Sequence, residues 1–506
     1  MSGEQCVTST DRESLHRPLV VLSVVALTGP AVLAFFAGGY FDGPRVWAGL
    51  ITWTLVAVAM LSSPRPLPVR LGGRLALVGL GLLGAWTLFS FTWALLAGNA
   101  YHAGQRVILY AGALLAGAAL LRRPLVQRAV EPVLALGALV VIGYGLSGRL
   151  LPGLLHFSRS VSAQGRLEQP LTYWNAMGEV AALGLVLAVR VAGDGSRHRA
   201  LRTAAACACA LLGMGLYLSF SRGALFACLA GLVTLTVAAP QRAQLKAMLV
   251  SLAAAVLAAV VAAPFGGVTS LSGSLSTRER HGAIVLVALT AIVVVTGFVQ
   301  WRVAARDPGG DIKLPRRAAW IALVLICAGL GVAIVAGAHE KAAQTLGAGA
   351  ARLETLQSNR YAYWRVALRA FRAQPIRGVG AGGWSVYWLR YRPFDEGAQD
   401  AHSLPLQTAA ELGLIGLALL AVFLAGIGIA AADALRAAPA LAAGPLAGFV
   451  VYVAHAPLDW DWEMPAVTLI AIVLAGLLIA LAEGRPASAT VAPAAAQERP
   501  VAEVRG

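Results

Sequence analysis

A histidine stands directly before an apolar helical pattern, at the end of a long loop. The sequence reads Asp400-Ala401-His402-Ser403 and continues as LPLQTAAELGLIGLALL. A helix N-terminus carries partial positive charge, which disfavours a charged imidazole ring and favours the neutral one. Because an imidazole ring must be neutral to act as a general base, His402 is the first candidate for catalysis. The alternative is a histidine that only caps the helix or lies at a membrane interface.

Two arginines stand where they could bind an anion. Arg222 lies in the turn 219–224, which joins two apolar segments with almost no loop, so that two helix ends fix it. Arg360 interrupts the apolar face of a helical pattern over 352–373, which predicts that it points inward. A planar guanidinium matches phosphate oxygens bidentately. The alternative for Arg222 is a side chain that snorkels to the interface.

Four further arginines of the long loop divide into two groups. Three lie off the apolar face of the same helical pattern and are expected to contact lipid headgroups: Arg365, Arg369 and Arg372. Arg377 lies in the glycine-rich segment 375–384, which has no preceding strand and no Lys-Ser/Thr pair. We interpret this segment as a turn that allows close backbone approach, with Arg377 as a substrate-binding candidate, rather than as a nucleotide-binding loop.

Two further segments combine carboxylates with aromatic rings. One holds Asp459, Trp460 and Glu463, and the other holds Tyr173, with Glu179 about one turn into the following apolar run. Such groups suit hydrogen bonds to sugar hydroxyls with ring stacking, or salt bridges to the loop arginines. The alternative is an aromatic belt at the membrane boundary. No metal-ligand spacing is visible, so neither a metal nor another cofactor is expected.

Composition indicates what positions these residues. The chain is 58% hydrophobic and 13% charged, with a mean hydropathy of +0.73. Apolar runs long enough to cross a hydrocarbon core of about 30 Å recur along it. We predict an all-α polytopic membrane protein with about 14 transmembrane helices, 12 being possible, the first of them an anchor rather than a cleaved signal peptide. The predicted spans are 19–38, 44–62, 74–94, 104–121, 130–148, 174–191, 202–219, 223–239, 245–264, 282–300, 318–337, 405–430, 438–456 and 465–482.

Charge distribution sets the expected orientation. Lysine and arginine concentrate in alternate loops, which predicts cytoplasmic termini and outward placement of every candidate named above. The net charge of +16 is then mainly a topology signal, and no nucleic-acid partner is expected. The predicted organisation is a cytoplasmic tail (1–17), a transmembrane bundle of about eleven spans (18–337), an extracytoplasmic loop domain (338–404), C-terminal helices (405–483) and a disordered cytoplasmic tail (484–506).

Taken together, these motifs resemble the O-antigen ligase and O-antigen polymerase superfamily. The resemblance rests on Ser221-Arg222-Gly223-Ala224, on the run from Arg360 through Trp364 and Pro375 to Gly380, and on Asp400-Ala401-His402 followed by ELGLIG, and it covers roughly residues 75 to 482. Many members have His-Asn where this chain has His402-Ser403, so no role is assigned to Ser403.

The resemblance implies a reaction and a location. The family transfers a glycan from undecaprenyl diphosphate to an acceptor hydroxyl at the outer face of the bacterial inner membrane, by metal-independent inverting displacement. His402 matches its loop histidine, Arg222 an outer-face arginine, and Arg360 or Arg377 its loop arginine. The implied partners are the undecaprenyl-diphosphate-linked donor, a glycan, lipid or protein acceptor, and membrane lipids.

Alternatives from other classes stay open. Ligase and polymerase differ only in the acceptor, and the motifs do not separate them. A flippase or transporter would place ionisable residues near the middle of several spans, whereas here the charges cluster at span ends. An inert scaffold would have no use for Arg222, Arg360 and His402 on one side of the membrane.

Overall fold

Apolar helices dominate the computed structural model, which describes residues 9–63, 66–306, 310, 312 and 358–484. The model is 77% helix, and its described part contains 16 helices and no strand. These features confirm the prediction of an all-α polytopic membrane protein. In chain order the helices are α1 Ser9–Ala34, α2 Asp42–Ser62, α3 Leu71–Phe89, α4 Ala97–Leu120, α5 Pro124–Leu150, α6 Trp174–Gly193, α7 Arg199–Leu218, α8 Arg222–Ala238, α9 Arg242–Ala262, α10 Gly266–Thr269, α11 Leu275–Ala305, α12 Arg360–Ala373, α13 Trp384–Tyr391, α14 Leu404–Ala437, α15 Pro439–His455 and α16 Pro465–Ala482.

The predicted spans can be compared with these helices one by one. Among the described residues, ten helices are long and apolar enough to cross a membrane, and three shorter apolar helices accompany them in α1, α8 and α15. Together they coincide with thirteen of the fourteen predicted spans. The predicted span 318–337 lies outside the described residues, so the count of fourteen stays a prediction.

Several helices begin before their predicted positions, among them α4 at Ala97, α5 at Pro124 and α11 at Leu275. α11 begins at Leu275 rather than near 282, because the Ser274 side chain accepts a hydrogen bond from the backbone N–H of Thr277 and caps the helix there. The charged residues that follow extend the helix beyond its apolar part. In the loop, α12 begins at Arg360 within the described residues, and the first part of the predicted helix, 352–357, lies outside them.

The two most buried helices, α6 and α16, form the centre of the bundle. α6 packs against α5, α7, α8, α9 and α15, while α16 packs against α1, α4, α14 and α15. Small residues allow close approach, as where Gly117 of α4 meets Gly476 of α16 backbone to backbone. The start of α6 and the connection between α15 and α16 therefore meet at one end of the central layer.

A break in α14 fixes the loop to the bundle. Gly413 has φ +65° and ψ −160° inside the helix, which interrupts the helical hydrogen bonds. The loop occupies this break: Val379 N donates to Ala410 O at 3.0 Å, and Leu414 N donates to Pro375 O at 2.9 Å. A Cβ added at Gly378 would lie 2.2 Å from the carbonyl carbon of Glu411. The predicted close backbone approach of the glycine-rich turn is thus confirmed.

The loop also has a small aromatic core of its own. Trp384 and Trp388 of α13 stack with ring centroids 5.7 Å apart, and Tyr363 of α12 meets Trp388 edge-on at 4.8 Å. Both tryptophans are fully buried. This core, packed against α14, holds the segment that carries His402.

Candidate active site

Asp459, in the connection between α15 and α16, is the point where three parts of the chain meet. Its Oδ2 accepts from Arg360 Nη2 of α12 at 2.5 Å, and its Oδ1 accepts from the Tyr173 hydroxyl at 2.7 Å. The Trp460 backbone N–H also donates to Oδ1, at 2.9 Å. The Asp459 side chain is fully buried, and that of Arg360 keeps 22% exposure. The arrangement holds one guanidinium at the mouth of a buried carboxylate.

Burial and neighbouring charges have opposite effects on the protonation of Asp459. Burial alone would raise the pKa of Asp459, but the Arg360 guanidinium lowers it below its usual range. Burial and the Asp459 charge together raise the pKa of the Tyr173 phenol well above its usual value. Asp459 is therefore the anion of this group, Arg360 its cation, and Tyr173 a neutral hydroxyl donor.

His402 lies beside this group on the short connection to α14. Its Nδ1 lies 2.9 Å from the backbone oxygen of Asp400, and since a carbonyl only accepts, Nδ1 carries the proton. Nε2 is then the nitrogen with a free lone pair. The ring lies 5.0 Å from that of Tyr363 and 6.1 Å from that of Trp460, centroid to centroid. The His402 backbone has φ +52°, in the left-handed region that residues other than glycine seldom adopt.

Arg222 is the first residue of α8, whose start is capped by Ser221 accepting from Ala224 N at 3.3 Å. The next residue, Gly223, packs so tightly on the α15–α16 connection that an added Cβ would lie 3.0 Å from His455 Nε2 and 3.8 Å from Leu458. The half-buried Arg222 is thereby brought to the same segment that carries Asp459. The sequence could not show this, because 230 or so residues separate the two segments.

A cavity of about 240 Å³, here called the acidic cavity, has four carboxyl groups and two guanidinium groups in its wall. Its walls include the acids Asp400, Glu411 and Glu463, and Arg106 of α4 forms a salt bridge to Glu463 there. Burial, opposed by Arg106, raises the pKa of Glu463 to about 7, and burial also raises the pKa of Asp400. The site thus has a side rich in arginine and a side rich in carboxyl groups.

A second buried cluster joins α6 to the α15–α16 connection. His455 Nδ1 lies 2.6 Å from Asp461 Oδ2 and 3.1 Å from Glu179 Oε2, and all three side chains are fully buried. Their ligand atoms lie within 4.8 Å of one another, so this set has the donor types that a divalent cation accepts. Sequence reasoning named Glu179 but did not pair it with His455 and Asp461, because the two segments lie far apart in the chain.

The predicted site residues are brought together in part. Arg360, Asp459, Trp460, Tyr173 and His402 form one contiguous group. Glu463 lines the acidic cavity and Glu179 belongs to the buried cluster with His455. Arg377 lies elsewhere: it is exposed, and its guanidinium stands 5.6 Å from the ring centroid of Trp93.

Sequence reasoning missed several charged residues of the site. Arg106, Glu411 and His455 lie within apolar helices, and Arg166 lies in the loop before α6. For Arg106, Glu411 and His455, the sequence did contain a signal. An ionisable group is costly within an apolar span, and a residue placed there is therefore a functional candidate.

One family model matches the chain. Residues 265–421 match the model described as O-antigen ligase. This part of the chain is similar to O-antigen ligases. The matched stretch runs from just before α10 into α14 and includes Arg360, Arg377 and His402. It supports a ligase- or polymerase-like function of the membrane glycosyltransferase type, with a lipid-linked glycan and an acceptor as partners. No curated protein matches the chain significantly.

Proposed function

We propose that this protein transfers a glycan from undecaprenyl diphosphate to an acceptor hydroxyl at the outer face of the bacterial inner membrane. The observation that carries the proposal is the grouping of His402 with Arg360 and Trp460 around Asp459. This grouping combines a base, a cation and an aromatic platform in one place, next to an acidic cavity.

On the arginine side, Arg360 and Arg222 hold the diphosphate. Asp459 anchors Arg360 through one nitrogen, Nη2, and a guanidinium has five N–H donors in all. Phosphate oxygens are bound bidentately by such a fork, and the charge that develops on the leaving diphosphate is stabilised by it. This role requires no metal ion.

On the histidine side, Nε2 of His402 accepts the proton of the acceptor hydroxyl. The oxygen attacks the anomeric carbon while the bond from that carbon to the diphosphate oxygen breaks, and undecaprenyl diphosphate leaves. A single displacement of this kind inverts the anomeric configuration. The Asp400 carbonyl keeps the Nδ1 proton in place and so fixes the tautomer that the step needs.

The acidic cavity suits the acceptor. Carboxyl groups such as Glu463 and Glu411 accept hydrogen bonds from sugar hydroxyls. Tyr40 adds an aromatic ring to the wall of this cavity and meets the Trp460 ring edge-on at 5.4 Å. The diphosphate would then lie on the arginine side and the acceptor hydroxyl on this side. A glycan acceptor is therefore favoured over an anionic one.

The test is a transfer assay with purified protein in detergent and an undecaprenyl-diphosphate oligosaccharide, with products measured by mass. A ladder of repeat units from donor alone indicates a polymerase, and release only with an added acceptor indicates a ligase. No turnover with several donors would contradict the proposal and favour a transporter.

A further inference from the structure

Arg166, in the loop before α6, is a buried arginine that forms no salt bridge with any acid among the described residues. Its Nε donates to Ala163 O at 2.8 Å and its Nη2 to Ser162 O at 2.6 Å, so two of its three nitrogens are anchored to backbone. The residue is only 5% exposed. The nearest acid in sequence, Glu168, instead accepts hydrogen bonds from Ser160. The guanidinium is therefore fixed in place while its charge is not neutralised by a salt bridge within the described part of the chain.

The third nitrogen of Arg166 is one of three buried donors near Tyr173. Arg166 Nη1, Trp174 Nε1 and Trp460 Nε1 are buried, and none has a hydrogen-bond acceptor among the residues that the structure describes. A buried donor without an acceptor costs about 1–3 kcal/mol, so proteins seldom leave several together. Such a set indicates a ligand that brings acceptors.

Contacts place these three donors around the candidate active site. The Arg166 guanidinium carbon lies 3.6 Å from the Trp174 ring centroid, and the rings of Trp174 and Trp460 lie 4.9 Å and 4.7 Å from that of Tyr173. Burial, together with the nearby charge of Arg360, lowers the pKa of Arg166 to about 10, which leaves it cationic near neutral pH. The neighbourhood is thus rich in positive charge and in N–H donors, and Asp459 is already occupied by Arg360.

We propose that Arg166, with the indole N–H groups of Trp174 and Trp460, binds a phosphate group of the donor, beside Arg360. The inference rests on the proposed function, since it names further residues for the diphosphate side of the same site. Its ligand chemistry is a phosphate oxygen, which a lipid diphosphate or free pyrophosphate could supply.

A binding experiment tests this independently of turnover. Undecaprenyl diphosphate is titrated into the full-length protein in detergent, with undecaprenol as the matched lipid without phosphate and inorganic pyrophosphate as competitor. Arg166→Gln is expected to weaken undecaprenyl diphosphate binding on the order of tenfold or more, since charge-assisted hydrogen bonds are lost. Undecaprenol binding should not change, and pyrophosphate should compete with the lipid diphosphate in wild type but far less in the variant.

Two further variants keep the test decisive if Arg166→Gln fails to fold. Trp174→Phe keeps an aromatic ring but removes the N–H, and it should weaken undecaprenyl diphosphate binding several-fold, as one lost hydrogen bond predicts. Arg159→Gln removes an exposed arginine of the same loop and should leave binding unchanged. Unaltered diphosphate binding in folded Arg166→Gln or in folded Trp174→Phe would overturn the inference.

The outcome is separable from that of the proposed function. If wild type transfers glycan and Arg166→Gln does so with an unchanged donor KM, the inference fails and the function stands. If wild type binds undecaprenyl diphosphate through Arg166 but transfers no glycan to any acceptor, the function fails and the phosphate site stands.

Discussion

Replacing Asp459 by asparagine removes the charge that holds Arg360 in place. Opposite charges about 4 Å apart attract by about 4 kcal/mol at an effective dielectric constant of about 20. Breaking a buried pair costs about 3–5 kcal/mol, because the remaining charge loses its partner. Since the Arg360 side chain keeps 22% exposure, water replaces part of that loss, and we expect a destabilisation of about 2–3 kcal/mol.

The assay for this prediction is thermal unfolding in detergent, followed by tryptophan fluorescence, alongside glycan transfer. The midpoint of Asp459→Asn should fall by roughly 2–3 °C. Its kcat should fall about tenfold or more, since an unanchored guanidinium is poorly placed to meet the diphosphate.

The matched control is Asp395→Asn. Asp395 makes a salt bridge of the same 2.5 Å length to Arg392, but its side chain is 89% exposed. An exposed pair contributes little, so both the midpoint and kcat should stay at the wild-type values. Equal behaviour of the two variants would refute the reasoning that burial and position give the Asp459 pair its importance.

Two more predictions concern the loop and the acidic cavity. Gly378→Ala should greatly reduce the amount of folded protein, because Gly378 has φ +71° and the new Cβ would clash with the Glu411 backbone. Gly397→Ala is the control, since the space around Gly397 is open and the substitution should have no effect. Expression level and monodispersity in detergent measure both variants. Glu463 has a folded pKa of about 7, above its ordinary 4.5, so its contribution to stability is full below about pH 4.5 and is lost as the pH rises to 7. Glu463→Gln should therefore gain stability relative to wild type over that pH range, by at most about 3 kcal/mol, in unfolding midpoints measured at pH 5 and pH 8. A constant difference between the two proteins across that range would contradict it.

The helices were predictable from sequence because each span needs a long apolar run, and such runs are visible without any partner. The same reasoning placed His402 before a helix and Arg360 on an inward face. The start of α11 was not predictable from apolar residues alone. Ser274 caps this helix, and its first turns are charged rather than apolar.

Pairings between distant segments were the part that sequence could not supply. Salt bridges between the loop arginines and the acids near 459 were one of two open interpretations, and the structure selects Arg360 as the partner of Asp459. The break at Gly413 depends on the loop that fills it, and ELGLIG alone reads as continuous helix. Arg106 and Arg166 stand in segments whose local patterns give no indication of a shared site.

The most direct test of the account is glycan transfer by His402→Ala beside wild type and Arg365→Ala. The assay uses an undecaprenyl-diphosphate oligosaccharide with its acceptor, and each protein is first checked for insertion and monodispersity. We predict that His402→Ala loses transfer while it remains folded and still binds the donor, because the base that accepts the hydroxyl proton is gone. Arg365, an exposed residue of α12, should be replaceable at little cost. Wild-type transfer by a well-folded His402→Ala protein would contradict the proposed mechanism.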